Sequence, residues 1–178
     1  MNSSTERDAL LDEIIDRELA MFLETPNEGG VASCQQRPET FRVMRRMAHV
    51  THDDETLRSY LEDLRAAESS GRNFMLEKYA RMDDRLPPLS DSPLLDEIAD
   101  AENAFLEEAA RLRPDRVKRN GSGMFRRYLR CELETLSPRT LALYAREVRR
   151  AREEGRNPVL ERHDWLAGYL ASTPRTGM

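Results

Sequence analysis

The chain has 178 residues, of which 34% are charged and 6% aromatic, and it carries a net charge of −5. That length can bury one core of ordinary size or two small ones in close contact, and the acidic balance argues against general nucleic-acid binding. No apolar run approaches the roughly 20 residues of a membrane span, the polar start lacks the apolar core of a signal peptide, and Cys34 and Cys131 are too few for a disulfide scaffold, so a cytoplasmic protein with reduced thiols is expected.

In chain order, the pattern predicts eight helices and no strand, because no stretch alternates apolar and polar residues for long enough. The first opens at Ser3 with Ser3-x-x-Glu6, a capping-box spacing, and runs its apolar stripe through Leu11, Ile14, Ile15 and Phe22. The second starts at Pro38. The third starts at Asp53 or Asp54 and stops at Gly71, and the fourth covers Asn73 to Met82. Asp83 to Leu89 reads as a linker. A fifth helix has Ser92 as cap and Pro93 in its first position. The sixth starts near Gly123, the seventh runs from cap Ser137 and Pro138 to Gly155, and the eighth runs from Pro158 to about Leu170, leaving a frayed tail.

Shifted by 84 residues without a gap, the chain matches itself. Leu10-Leu11-Asp12-Glu13-Ile14 returns as Leu94-Leu95-Asp96-Glu97-Ile98, Thr56-Leu57-x-x-Tyr60 as Thr140-Leu141-x-x-Tyr144, and Gly71-Arg72-Asn73 as Gly155-Arg156-Asn157. There are 23 identities over the 84 aligned positions, against a chance level of about one in fifteen at average residue usage. The expected fold is therefore all-α: a tandem duplication of a four-helix unit, residues 1–84 and 85–168, with 169–178 as tail. Two equivalent units on a short linker are expected to pack about an approximate two-fold axis, as an isologous dimer does, and to form one compact domain.

Glu18 and Glu102 occupy equivalent places on the apolar stripes of the first and fifth helices. A buried carboxylate needs a partner or a proton. The repeated arginines Arg42 with Arg126, and Arg46 with Arg130, are the available partners. One reading is structural ion pairs Glu18–Arg42 and Glu102–Arg126; the other is two carboxylates converging on a polar ligand or a metal. No Glu-x-x-His supports a di-iron site, and no Cys-x-x-Cys anchors a zinc among Cys34, His49, His52 and Cys131, so no metal or cofactor is assigned. The basic stretch from Arg111 to Arg119 reads as a solvated face or a phosphate loop. The greatest divergence between the copies is at 25–40. There, glycines, Cys34 and Gln35 form a segment unlike its counterpart 109–124, which points to a fitted loop or to simple drift. Arg42 and His49, with six residues between them, would suit an RNA-directed helical nuclease, but that spacing is common by chance.

The loop Asn27 to Arg37, then Phe41-x-x-Met44-Arg45, Gly71-Arg72-Asn73, Lys78-Tyr79-Ala80-Arg81-Met82 and Glu132-Leu133-x-Thr135-x-Ser137 resemble a bacterial domain-of-unknown-function family, the one numbered four-one-two-five. The resemblance covers nearly the whole chain and implies no reaction. Some members are joined to a nucleotidyltransferase-like domain, which this chain lacks, and His49 stands where the family pattern has glutamine. Two functions are open. The first is a small polar or anionic ligand, or the substrate of a small enzyme, held in a pocket of the first repeat by Asn27, Gln35, Arg45, Asn73, Lys78 and Arg81, with Tyr79 or Cys34 as acid, base or nucleophile. In that reading residues 27–45 and 73–81 border the pocket, and 111–130 with 157–165 form a degenerate counterpart. The alternative is a non-catalytic module that docks on a nucleotidyltransferase-like or other partner protein.

Overall fold

The computed structural model describes residues 3–26, 37–118 and 123–173. Among them are eight helices and no strand: α1 (Ser3–Glu24), α2 (Pro38–His49), α3 (Asp54–Ser69), α4 (Phe74–Met82), α5 (Leu94–Leu112), α6 (Met124–Leu133), α7 (Pro138–Glu153) and α8 (Pro158–Ser172). Each starts within two residues of its expected position. Ser3 opens α1, though its side chain lies outside the described part, as do Asn27, Cys34 and Gln35.

Local chemistry accounts for the helix ends. Asp53 Oδ1 accepts the Thr56 N–H at 2.8 Å and Ser137 Oγ accepts the Thr140 N–H at 3.2 Å, each capping its helix. Ser92 Oγ accepts the Leu94 N–H at 3.3 Å, so Ser92 caps α5 although Pro93 already has helical angles. The repeated Gly-Arg-Asn triplet turns α3 into α4 and α7 into α8. Gly71 and Gly155 take φ of 72° and 65°, the left-handed values that favour glycine. The next amide, Arg72 or Arg156, then reaches back 2.8 Å to the carbonyl of Ala67 or Ala151. Asn73 caps α4 through Leu76 N–H at 3.0 Å, and Asn157 caps α8 through Leu160 N–H at 3.1 Å. Both asparagines also donate from Nδ2, to the carbonyls of Met21 at 2.8 Å and Phe105 at 3.0 Å, tying helix starts to α1 and α5.

α1 packs against α2, α3 and α4, and α5 packs against α6, α7 and α8; α3 lies on α7, α4 on α6 and α2 on α8. One apolar cluster gathers Leu11, Ile14, Phe22, Leu57, Leu64, Phe74 and Met75. Another gathers Leu95, Ile98, Phe105, Leu133, Leu141, Val148 and Val159. Leu136 touches both. No helix of the described residues is long and apolar enough to cross a membrane.

Candidate functional site

Where α2 and α3 meet α6, α7 and α8, the packing leaves a cavity of about 140 Å³. Leu57, Phe125, Leu129, Leu133 and Leu136 give it an apolar body, and Arg45, His49, His52, Thr56, Glu132 and Arg162 give it polar edges. Tyr60, Tyr128 and Tyr144 also line it.

Around it run two buried networks. In the first, Glu18 is fully buried and accepts four hydrogen bonds: Arg45 Nε at 2.9 Å, Arg45 Nη2 at 2.6 Å, the Tyr60 hydroxyl at 2.7 Å and His49 Nε2 at 2.9 Å. Burial alone pushes the Glu18 carboxyl up, but Arg45 and His49 outweigh it and hold the group far below the usual carboxylate range. Since Glu18 is ionised, His49 Nε2 must be the donor. Burial pushes the His49 imidazole down, against the pull of Glu18. Arg45 also reaches Glu132 Oε1 at 3.0 Å. Lys78, 1% exposed, closes the network on Glu132 Oε2 at 3.0 Å and the Tyr128 hydroxyl at 2.8 Å. Glu132 is raised by burial but lowered further by Arg45 and Lys78, to about 2.

In the second network Glu102, also fully buried, takes both Nη atoms of Arg162 at 2.8 Å and the Tyr144 hydroxyl at 2.9 Å, while Arg162 Nε donates to Thr51 Oγ1 at 2.9 Å. His52 stacks edge-on against Tyr144 at 4.6 Å, and its Nδ1 lies 2.5 Å from Glu147 Oε2. One polar group is left over. Thr56 Oγ1 is the single buried side-chain oxygen or nitrogen without a partner among the described residues. Its repeat counterpart Thr140 is bonded by Ser59 Oγ at 2.7 Å and Ser137 Oγ at 3.1 Å. The residue matching Ser59 in the second half is Leu143, so the second half offers Thr56 no counterpart of that hydroxyl.

The partners of the repeated carboxylates differ from the expected ones. Arg42 pairs with Asp16 at 2.6 Å and Arg126 with Asp100 at 2.5 Å, both on the outer face, while Glu18 takes Arg45 and Glu102 takes Arg162. Arg42 lies one turn before Arg45 on α2, where its nearest carboxylate is the exposed Asp16, while Arg45 reaches the buried Glu18. Arg42 and His49 are tied to different partners, Asp16 and Glu18.

The expected first-repeat site is likewise redistributed. Of the described candidates only Arg45 lines the cavity. Asn73 is occupied as a helix cap. Arg81 is held by Glu134 at 2.6 Å and by the Leu86 carbonyl at 2.7 Å. Lys78 stands behind Glu132, its ammonium 4.9 Å from the Tyr79 ring and 4.4 Å from the Tyr128 ring. Tyr79 itself faces a separate, open depression shared with Thr25, Pro26 and Leu76. The segments 27–45 and 73–81 therefore do not enclose one pocket among the described residues. Phosphate capture by the basic stretch is not favoured either: Arg113 is bound to Asp115 at 3.0 Å and Arg116 to Asp164 at 3.0 Å.

Sequence reasoning missed His52, Thr56, Tyr60, Tyr128, Glu132, Tyr144 and Arg162 as cavity residues. The repeated Thr-Leu-x-x-Tyr was the available signal, since it places hydroxyls on the apolar faces of α3 and α7. Glu132 carried no such signal, because its repeat counterpart is Ala48.

Comparison with known proteins returns no match among curated proteins and none among solved structures. The model of the family described as "Protein of unknown function (DUF4125)" matches residues 8–171, which is most of the chain, and the protein belongs to that family.

Proposed function

We propose that the chain is a duplicated helical protein whose two halves pack about an approximate two-fold axis and hold a small uncharged ligand in the cavity between them. Matched bonds support the symmetry. The Asp53 N–H donates to Glu147 Oε1 at 2.7 Å and the Ser137 N–H to Asp63 Oδ2 at 3.0 Å, and the donors and the acceptors are each 84 positions apart. The helix contacts α4 on α6 and α8 on α2 exchange in the same way.

The observation that carries the ligand reading is the cavity of about 140 Å³ itself, whose apolar body of Leu57, Phe125, Leu129, Leu133 and Leu136 is edged by polar side chains. Thr56 Oγ1, unpaired and sealed from that space, costs about 1–3 kcal/mol whether or not a ligand is bound. Charge decides the class of ligand. The cations Arg45, Lys78 and Arg162 are matched by the carboxylates Glu18, Glu132 and Glu102. An added anion would find no spare counter-charge in a desolvated space. This argues for a neutral ligand, in place of the anionic one that the arginines alone suggest. Docking on a partner protein has less behind it: the large exposed apolar residues Leu23, Met44, Leu112, Met124 and Leu170 are distributed over five helices, the ordinary pattern of a monomer surface.

The test is a ligand-observed NMR screen of neutral ring compounds against the native chain and Ala48→Phe, which plugs the cavity from its α2 wall. Binding by the native chain and none by the plugged variant is expected. Equal binding by both would place the ligand elsewhere and end this reading.

A further inference from the structure

The cavity wall is built from repeat counterparts that no longer match in polarity. Arg45, His49 and His52, on α2 and just past its end, border the cavity. So do the residues 84 positions later, Leu129, Leu133 and Leu136, on α6 and just past its end. Thr56 and Tyr60, by contrast, recur unchanged as Thr140 and Tyr144. One exchange runs the other way, Ala48 against Glu132, but the Glu132 carboxylate is taken up by Arg45 and Lys78. The α2 side of the cavity is polar and the α6 side is hydrocarbon.

Much of the polar side is committed within the protein. Arg45 is bound by Glu18 and Glu132, Arg162 by Glu102, and His49 Nε2 by Glu18. His52 is held in another way. In each half, a carboxylate on the facing helix accepts the N–H of a helix-capping residue: Glu147 takes Asp53 N–H at 2.7 Å, and Asp63 takes Ser137 N–H at 3.0 Å. That bond recurs, but the histidine before it does not, because position 136 is leucine. Glu147 uses its second oxygen to hold His52 Nδ1 at 2.5 Å, with the ring edge-on to Tyr144. A carboxylate behind an imidazole fixes the orientation of the ring. With Nδ1 taken, a ligand can address His52 only at Nε2.

Resting on the cavity function proposed above, we propose that the ligand is a one-faced, neutral, single-ring compound that lies with its one polar edge on His52 Nε2 and its hydrocarbon edge on Leu129, Leu133 and Leu136. A second polar edge would lose its water against the leucines and gain no partner there. One ring is the size that fits, since the cavity of about 140 Å³ is close to the roughly 150 Å³ that holds benzene in an engineered protein.

p-Xylene, p-cresol and hydroquinone share one shape and carry no, one and two polar ends, and with benzene as the size control they test this in the native full-length chain by calorimetry and NMR. p-Cresol is expected to bind about tenfold tighter than either of its isosteres. Its methyl group should show NOEs to the Leu129 and Leu133 methyls, and the ring protons beside its hydroxyl should show them to His52. In His52→Leu, which copies the second-half residue, the preference for p-cresol over p-xylene should vanish while benzene still binds. If none of the four compounds binds the native chain, the cavity reading itself fails. If benzene or p-xylene binds and p-cresol is not the tightest of the three isosteres, the cavity is filled but not read from one side, and the proposal is overturned. NOEs from the p-cresol methyl to His52 in place of the leucines overturn it as well, and that observation needs no variant to fold.

Discussion

Arg45 is the residue on which the buried charge balance turns. It is 8% exposed and joins Glu18 from α1 to Glu132 from α6. Removing one partner of a buried pair leaves an uncompensated charge, at about 3–5 kcal/mol. Arg45→Met keeps most of the packing, so the loss it shows in urea unfolding is expected to be of that size and electrostatic in origin. A loss under about 1 kcal/mol would mean that water reaches Glu18. The same residues set the acid limit. The Glu132 carboxyl sits at about 2 when folded, against 4.5 ordinarily, and Glu18 is depressed as well. A depressed carboxyl contributes stability that is fully present above its unfolded value and is lost as pH falls through the folded one. The protein is therefore expected to lose stability progressively from about pH 4.5 towards 2, and Glu132→Gln should flatten that slope in denaturant titrations at several pH values.

Among the elements, the Gly-Arg-Asn turns were the most legible part of the fold and the most easily misassigned. Repetition marked them as constrained, and Asn73 was read as a ligand-binding residue. Its oxygen caps α4 and its amide holds the Met21 carbonyl, with Asn157 doing the same for α8 and Phe105. A motif repeated in both halves serves both halves alike, and local turn geometry is what the halves share. Asn73→Ala and Asn157→Ala should each destabilise by about 1–2 kcal/mol, one lost cap plus one unpaired carbonyl. Thermal unfolding checks this, and a loss at Asn73 well below that at Asn157 would restore some other role to the first. Gly71→Ala should cost about 1 kcal/mol from the φ of 72° alone, since open space surrounds the position.

On the scale of the whole molecule, the two halves complete each other. Arg45 and Lys78 find Glu132 across the divide, Arg81 finds Glu134, and Thr51 receives Arg162. Residues 1–84 expressed alone are therefore expected to show no cooperative unfolding transition by circular dichroism, because Lys78 and Arg81 lose their counter-charges and Arg45 loses one of its two. The cavity is the counterpart of this interlock: where Ser59 meets Thr140, the reciprocal position holds Leu143, and Thr56 is left unpaired. Without ligand, Thr56→Val should raise stability by about 1 kcal/mol, since it replaces an unsatisfied hydroxyl with an isosteric methyl. A destabilised Thr56→Val would show that the hydroxyl is satisfied in solution.

Helix number, helix ends and the repeat of 84 residues were readable in the amino-acid sequence, because periodicity, caps and left-handed glycines act within about one or two turns of chain. The ion-pair partners were decided only by tertiary packing. Glu18 meets Arg45 across 27 positions, Glu102 meets Arg162 across 60, and Arg45 meets Glu132 across 87. Repetition favoured symmetric partners for the two glutamates, but the second-half counterpart of Arg45 is Leu129 and the first-half counterpart of Glu132 is Ala48. With no carboxylate at position 48 to cross to, Arg162 stays on Glu102, whereas Lys78 crosses to Glu132 and leaves Glu18 to Arg45. Which charge meets which depends on side chains brought together from separate helices, and no local pattern encodes that distance.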